Sequence, residues 1–392
     1  MRHTLARYHA WLLLALVSFV CLAGAWAIST AVRLPAGDEF NFISWELRHL
    51  PGKWLYLTGR FFQGGLSREE QDERLGRYLL LTSQARALQR SDGDSGDPAR
   101  LLRERDELEN DVEAIIEGRV TAVLGSQDLE SSLLFLPALV FPPVDFELAR
   151  TPLVLSVSPR DRIELAGQRP LRAGLRPEEV ERIESDVERG GKRSAFVDDV
   201  GGVAAYPSIV VPQADYALLV ELVAHEWVHQ YLFFRPLGRR YFDSQELQTL
   251  NETVASIAGR DLAALVVQRY SLSPEVAAQI EALAPPAVDA GPALRELRIE
   301  VERLLDAGQT GQAEALMERR RQELAAQGVR FRRINQAFFA SRGVYADDPA
   351  SIDPIGGKLA ALRAQSNGPG AFLREAARLT SEAALDRLLA GG

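Results

Sequence analysis

The segment from Leu222 to Phe234, LVAHEWVHQYLFF, places two histidines and a glutamate in a stretch that is otherwise apolar. Leu222, His225 and His229 follow one another at steps of three and four residues, so on a helix they share one face. We therefore expect both histidines to point into the protein interior. Core histidines with hydrogen-bonded partners would fit this pattern, but burying them unpaired beside Glu226 is costly. A bound cation coordinated by neutral imidazoles removes that cost.

The spacing of these residues, H-E-x-x-H, suits a zinc site. Histidines four residues apart on a helix can reach one Zn²⁺ ion, while the glutamate between them leans toward the metal-bound water. Cys21 is the only cysteine and lies in an N-terminal apolar run, so any metal must be held by His, Asp or Glu. After His49 the chain has no histidine outside the motif. The large domain therefore uses its only histidines in this one motif.

A tetrahedral catalytic site needs a third protein ligand, with water in the fourth position. The downstream carboxylate candidates are Asp243, Glu246 and Glu252. The segment DSQE is typical of a capping box, which gives Asp243 and Glu246 structural roles at the start of a helix. Glu252 lies well inside the same predicted helix. Ala255 and Ser256, one turn further on, are small enough to let two helices approach closely.

The motif HEWVH followed by NETVAS resembles the gluzincin metallopeptidases, the group that contains thermolysin and the zinc aminopeptidases. The resemblance covers residues 195–260. It implies that His225, His229 and Glu252 are zinc ligands and that Glu226 is the general base.

The chain departs from the gluzincin pattern at two places. Glu252 lies farther along the chain from His229 than in the nearest family patterns, so we expect a different connecting loop. Ser256 stands where many gluzincins have an acidic partner for a ligand histidine, which leaves open the group that orients this imidazole.

The segment GGVAAYPSIVV, upstream of the motif, lies where these families place an edge strand that pairs with the substrate backbone. The resemblance thus implies substrate binding by Gly202, Val203, Ala204 and Tyr206. An ordinary sheet strand with a glycine turn explains the segment equally well. No GAMEN-type stretch, the aminopeptidase signature, is present, so endopeptidase and aminopeptidase activity both remain open.

In gluzincins a later Tyr or His usually donates a hydrogen bond to the oxyanion formed on the substrate. No histidine follows His229. Tyr270 would lie about 27 Å along the helix from Glu252, at about 1.5 Å per residue, which is out of reach. Tyr345, in the loop-like stretch SRGVYADDPAS, is the predicted donor. Packing of that loop is the structural alternative, and Tyr206 is a competing donor.

The N-terminal run from Trp11 to Val32 is uncharged and long enough to span a bilayer. Arg2 and Arg7 precede it, which predicts a short cytoplasmic tail at 1–10 and an extracytoplasmic location for the rest of the chain. A cleaved signal peptide is the alternative, because AWA at 25–27 fits a cleavage site.

We predict an α+β, predominantly helical protein with a transmembrane anchor at 11–32. A juxtamembrane helical region at 40–130 would contain a helical hairpin with a solvated polar face. A zincin-like metallopeptidase domain at 140–392 would have a small sheet and a helical C-terminal part. The elements predicted around the motif are a strand at 152–158, a helix at 176–190, paired strands at 194–211, and helices beginning at Pro212 and near Ser244.

The predicted function is that of a membrane-anchored, extracytoplasmic zinc metallopeptidase acting on a peptide or protein substrate. Zinc would polarise the scissile carbonyl and activate water, while Glu226 would transfer the proton. Two alternatives are a non-catalytic helical membrane scaffold with a vestigial or structural metal site, and a zinc hydrolase of a non-peptide amide. The intact Glu226 argues against a purely structural site. The formal net charge of −9, with no basic stripe, excludes nucleic acid as an expected partner.

Overall fold

The computed structural model describes residues 38–42, 44–46, 66–91, 97–131, 139–285 and 288–391. The predicted cytoplasmic tail and transmembrane run lie outside these residues. Of the helices that the described residues form, none combines the length and the apolar character needed to cross a bilayer.

The described chain is mostly helical with small sheets, which confirms the predicted α+β class. In chain order the helices are α1 (Arg68–Arg90), α2 (Pro98–Asp106), α3 (Glu109–Ser126), α4 (Pro177–Glu188), α5 (Tyr216–Phe233), α6 (Pro236–Arg239), α7 (Gln245–Arg269), α8 (Pro274–Leu283), α9 (Gly291–Asp306), α10 (Thr310–Ala326), α11 (Gln336–Arg342), α12 (Pro354–Gln365), α13 (Gly368–Ala376) and α14 (Glu382–Ala390). The strands are β1 (Glu130–Ser131), β2 (Leu139–Val140), β3 (Phe146–Leu148), β4 (Leu153–Pro159), β5 (Gly167–Leu171), β6 (Arg193–Asp199), β7 (Gly202–Val203) and β8 (Ser208–Val210).

The described strands pair in three separate small sheets. One is antiparallel in the order β5-β4-β6, with Leu155 of β4 opposite both Arg169 and Val197. A second has the order β3-β8-β7, in which β8 is parallel to β3 and antiparallel to β7. β1 and β2 form the third. The predicted pairing within 194–211 is wrong for β6, because β6 pairs with β4 whereas β7 and β8 pair in another sheet.

The largest hydrophobic core joins α1 and α3 to α5 and α7. Tyr78, Ile116, Trp227, Leu250 and Phe372 are buried members of this one cluster. Each large apolar side chain buried in this way stabilises the fold by about 1.5–3 kcal/mol. The helices that the sequence placed in a separate juxtamembrane region therefore pack into the same core as the helix that carries the HExxH motif.

The charged face of α3 is partly buried, so the prediction of a solvated surface is wrong there. Glu113 and Arg119 are both buried. The Glu113 carboxylate accepts a hydrogen bond from the backbone N–H of Leu148 on β3, at 2.7 Å. Arg119 pairs with Asp72 and donates to the hydroxyl of Tyr216 at 3.1 Å. Buried charges of this kind need partners, and here they connect α3 to β3, α1 and α5.

Two helix starts differ from the prediction because of their capping residues. Asp215 caps α5 by accepting from a backbone N–H three residues on, so the helix begins at Tyr216 rather than Pro212. Ser244, not Asp243, caps α7 in the same way. Asp and Ser are both favoured as N-cap residues. The backbone geometry therefore decides which of the nearby candidates caps the helix.

Candidate metal centre

Three potential ligands from α5 and α7 meet at one point. The Nε2 atoms of His225 and His229 are 3.0 Å apart, and the Oε2 atom of Glu252 lies 3.7 Å from the first and 3.3 Å from the second. Two ligands at about 2.0–2.1 Å from a tetrahedral zinc ion are roughly 3.3 Å apart. The three side chains therefore form a cluster that can hold a metal ion, with one carboxylate oxygen and two imidazole nitrogens as donors.

The electrostatics of this cluster favour an added positive charge. Burial lowers the pKa of His229, but the neighbouring Glu252 carboxylate outweighs this effect and the pKa rises to about 9. Burial alone would raise the pKa of Glu252, yet the two imidazoles hold it well below its usual range. The side chains of His225, His229 and Glu252 are 14%, 13% and 9% exposed, so little water reaches them. Such a site gains by binding a cation.

Helix α7 reaches α5 closely enough to bring Glu252 to the histidines. A Cβ atom at Gly259 would lie 3.0 Å from the backbone N of His225, tighter than ordinary packing permits. Ala255, one of the small residues predicted to allow this approach, is fully buried. The close approach at His225 itself depends on Gly259, which the sequence analysis did not single out.

Asn251 orients one of the ligand histidines. The Nδ1 atom of His229 lies 2.8 Å from the Oδ1 atom of Asn251, whose side chain is buried. If Nδ1–H donates to this amide oxygen, the lone pair of Nε2 is directed at the cluster, as metal binding requires. Asn251, rather than Ser256, therefore supplies the partner that the sequence left open. Its position directly before Glu252 in the predicted helix was the available signal.

Glu226 is buried between the ligand cluster and strand β7. A Cβ atom at Gly202 would overlap the Glu226 carboxylate, so the backbone of β7 passes directly against this side chain. Burial raises the pKa of Glu226, although the charges of His225 and His229 oppose the rise. A buried carboxylate with a raised pKa next to a potential metal site is suited to taking up a proton from a bound water.

The predicted substrate-binding segment divides into two parts. Gly202 and Val203 form β7, which is the edge strand of its sheet among the described residues, and Ala204 continues it. All three are half-buried. Tyr206 is 0% exposed, so its ring belongs to the core and does not face a substrate. Gln230 of α5 holds this loop by donating to the carbonyl oxygen of Ala205 at 2.7 Å.

Tyr345, the predicted oxyanion donor, lies beside the cluster. Its ring centroid is 6.4 Å from that of His225. The Glu252 charge and burial raise the pKa of Tyr345 well above its usual value. The hydroxyl of Thr253 holds the next residue by accepting from the backbone N–H of Ala346 at 2.9 Å. The Tyr345 loop is thus attached to the helix that carries Glu252.

Tyr241 is a second tyrosine at the cluster, and the sequence analysis missed it. Its hydroxyl donates to the Oε1 atom of Glu252, and its ring centroid is 6.4 Å from that of His229. The donors expected from the sequence were Tyr345 and Tyr206, whereas Tyr241 lies in the loop that connects α5 to α7. The available signal was that this loop connects the helix that carries His229 to the helix that carries Glu252.

Comparison of the chain with protein-family models, with curated proteins and with solved structures finds no match.

Proposed function

We propose that this chain is a zinc-dependent metallopeptidase of the gluzincin type. One observation carries the proposal: Glu252 of α7 lies within 3.7 Å of the Nε2 atoms of both histidines of the HExxH motif on α5. A carboxylate from a second helix completes a three-ligand set that leaves a fourth position for water or substrate. The buried Glu226 beside this set supports a catalytic site over a purely structural one.

The residues of the chain would divide the chemistry as follows. His225, His229 and Glu252 would hold zinc, which when bound supplies a Lewis acid for the scissile carbonyl. Glu226 would accept a proton from the attacking water and pass it to the leaving amine. Its raised pKa and its burial suit both steps. Tyr345 would donate a hydrogen bond to the oxygen of the substrate on which negative charge develops.

The position of β7 favours a peptide over a non-peptide amide as substrate. β7 is an edge strand among the described residues, and its backbone lies against the Glu226 carboxylate. An extended peptide that adds to such an edge brings its own backbone to the catalytic carboxylate, with main-chain hydrogen bonds supplying affinity. Non-peptide amides cannot use an edge strand in this way.

We also propose that the uncharged run at 11–32 anchors the protein in a membrane, with the metal centre outside the cytoplasm. The test is carbonate extraction of membranes, followed by sequencing of the mature N-terminus. Retention of the run in the pellet supports an anchor, whereas an N-terminus directly after Ala27 identifies a signal peptide instead.

The proposed activity is tested on the purified full chain by zinc content and by hydrolysis of a mixed peptide library. The wild type should contain stoichiometric zinc and cleave peptides. His225→Ala should lose both. Glu226→Gln should keep the metal and the fold but lose turnover, because an amide cannot accept the proton. Glu246→Gln, at an exposed carboxylate on the same ligand helix, is the matched control and should behave like the wild type. A wild type without metal, or a fully active Glu226→Gln variant, would contradict the proposal.

A further inference from the structure

A chain of hydrogen bonds leads from the candidate ligand Glu252 to the β5-β4-β6 sheet. The Tyr241 hydroxyl donates to the Oε1 atom of Glu252. The Nε2 atom of Gln248 lies 3.2 Å from the Tyr241 hydroxyl and 3.3 Å from the Oε1 atom of Gln168 on β5. The Nε2 atom of Gln168 in turn donates to the hydroxyl of the buried Ser156 on β4, at 3.2 Å.

The direction of these hydrogen bonds fixes the proton of Tyr241. An amide nitrogen has only donors, so the Gln248 amide donates to the Tyr241 oxygen. The tyrosine's own proton is then directed to Glu252, whose carboxylate can only accept. Charge-assisted hydrogen bonds of this type are roughly twice as strong as neutral ones. Tyr241 thus donates a hydrogen bond to Glu252 and accepts one from Gln248.

This arrangement determines which oxygen of Glu252 faces the histidines. Oε1 is taken by Tyr241, while Oε2 lies 3.3 Å from the Nε2 atom of His229. We propose that Tyr241 is a positioning residue that holds Glu252 as a one-oxygen metal ligand, and that Gln248 and Gln168 anchor it to the sheet. The inference rests on the metal site of the proposed function and assigns no contact between Tyr241 and the substrate.

Tyr345 differs from Tyr241 in this respect, although the charge of the same Glu252 carboxylate raises the pKa of Tyr345. Within the part of the chain that the structure describes, no side-chain amide donates to the Tyr345 hydroxyl. The Tyr345 hydroxyl can therefore donate its proton to a bound substrate. The two tyrosines have separate roles: Tyr241 orients the ligand and Tyr345 serves the reaction.

The test is a comparison of metal binding in the full chain, solubilised in detergent, for matched variants. Tyr241→Phe and Tyr345→Phe each remove one tyrosine hydroxyl at the metal cluster, but only Tyr241 donates to Glu252 in the structure, so each is the control for the other. Zn²⁺ affinity is measured by competition with a chromophoric chelator, and the visible absorption of the Co²⁺-loaded protein reports ligand geometry. Gln248→Met removes the amide that holds Tyr241 while keeping the length of the side chain.

Tyr241→Phe should weaken Zn²⁺ binding by about 10–100-fold, as loss of a group that orients a metal ligand typically does. It should also alter the Co²⁺ spectrum. Gln248→Met should weaken binding in the same direction but less, and Tyr345→Phe should keep most of the affinity and the wild-type spectrum. Unchanged affinity and spectrum in Tyr241→Phe, or equal losses in both tyrosine variants, would overturn the inference.

The proposed function and this inference can fail separately. If the wild type binds no metal, both the proposed function and the positioning role of Tyr241 are wrong. A wild type that binds metal but cleaves no peptide ends the peptidase proposal, while weaker binding in Tyr241→Phe still supports the positioning role. A variant that binds metal normally but turns over slowly would move Tyr241 from positioning to catalysis and so contradict the inference.

Discussion

The Nδ1 atom of His229 lies 2.8 Å from the Oδ1 atom of Asn251, so the residue that orients this imidazole directly precedes the candidate ligand Glu252 in the chain. One turn of α7 therefore provides both the candidate ligand Glu252 and the residue that orients a second candidate ligand, His229. Neighbouring residues on a helix point in different directions. Here Asn251 reaches the far side of the imidazole ring while Glu252 reaches Nε2.

Asn251→Ala should lower zinc affinity by about 10–100-fold, because the His229 ring loses the hydrogen bond that fixes its tautomer and orientation. Ser256→Ala is the matched control, at the position where gluzincins often place an acidic partner, and it should bind zinc like the wild type. Affinity is measured by chelator competition. Equal affinities in the two variants would remove Asn251 from the site.

Glu252→Ala and Glu246→Ala separate the two glutamates of α7. Loss of Glu252 should reduce zinc binding severely, because the site loses one of three ligands. Glu246 accepts a hydrogen bond from the backbone N–H of Glu382 at 2.7 Å, on the exposed start of the helix. Its loss should cost about 0.5–1.5 kcal/mol of unfolding free energy and leave metal binding intact. The reverse ranking in a metal titration would assign the ligand role to Glu246.

The pH dependence of stability should show the effect of Glu46. Burial raises the pKa of Glu46 to about 7, although the backbone N–H of Tyr206 opposes the rise. The folded protein therefore holds this proton at pH values where the unfolded chain has released it. The free energy of unfolding should fall as the pH rises from about 4.5 to about 7, and the full penalty should persist above pH 7.

Glu46→Gln should remove this pH dependence, since the amide stays neutral. Above pH 7 the variant should be more stable than the wild type by up to about 3 kcal/mol, because the pKa of Glu46 rises from 4.5 to about 7 and each pKa unit corresponds to about 1.4 kcal/mol. At pH 4 the two proteins should differ little. Denaturant unfolding at both pH values measures the effect, with Glu281→Gln, at an exposed site, as the control. A stability difference that does not depend on pH would rule out this account of Glu46.

Local sequence patterns predicted the two ligand-bearing helices well. α7 was expected from about Ser244 to Tyr270 and runs from Gln245 to Arg269. The hydrophobic period of α7 and the polar residues at its start are sufficient to predict this helix, because both are properties of its own local sequence. Pro212 predicts a start of α5 that is too early in the chain, because the side-chain cap at Asp215 sets Tyr216 as the first helical residue.

Contacts between distant elements were harder to predict. The sequence pattern predicted a solvated position for Glu113. Its carboxylate instead accepts a hydrogen bond from a backbone N–H of β3, which comes later in the chain. Tyr206 lies in a segment that was assigned to an edge, but its ring fills the core. Tyr241 contacts Glu252 only because the loop after α5 turns back over the site. Such pairings depend on how elements pack, which no local period encodes.

The ring of Tyr345 lies 6.4 Å from that of His225. If its hydroxyl donates to the oxyanion on the substrate, Tyr345→Phe removes stabilisation that exists only in the transition state. Loss of a donor of this kind lowers kcat by about 10²–10³-fold, or about 3–4 kcal/mol of barrier. Zinc content and melting temperature should change little, because Thr253 still holds the loop through the backbone of Ala346.

The control for this prediction is Tyr206→Phe, which removes a hydroxyl from a fully buried ring and should leave kcat unchanged. Steady-state kinetics on a peptide identified from the library separate kcat from KM. A rise in KM with unchanged kcat would mean that Tyr345 binds the substrate equally in the ground and transition states. An unchanged kcat and KM would show that Tyr345 only packs the loop against α7, and the oxyanion donor would then have to be sought elsewhere.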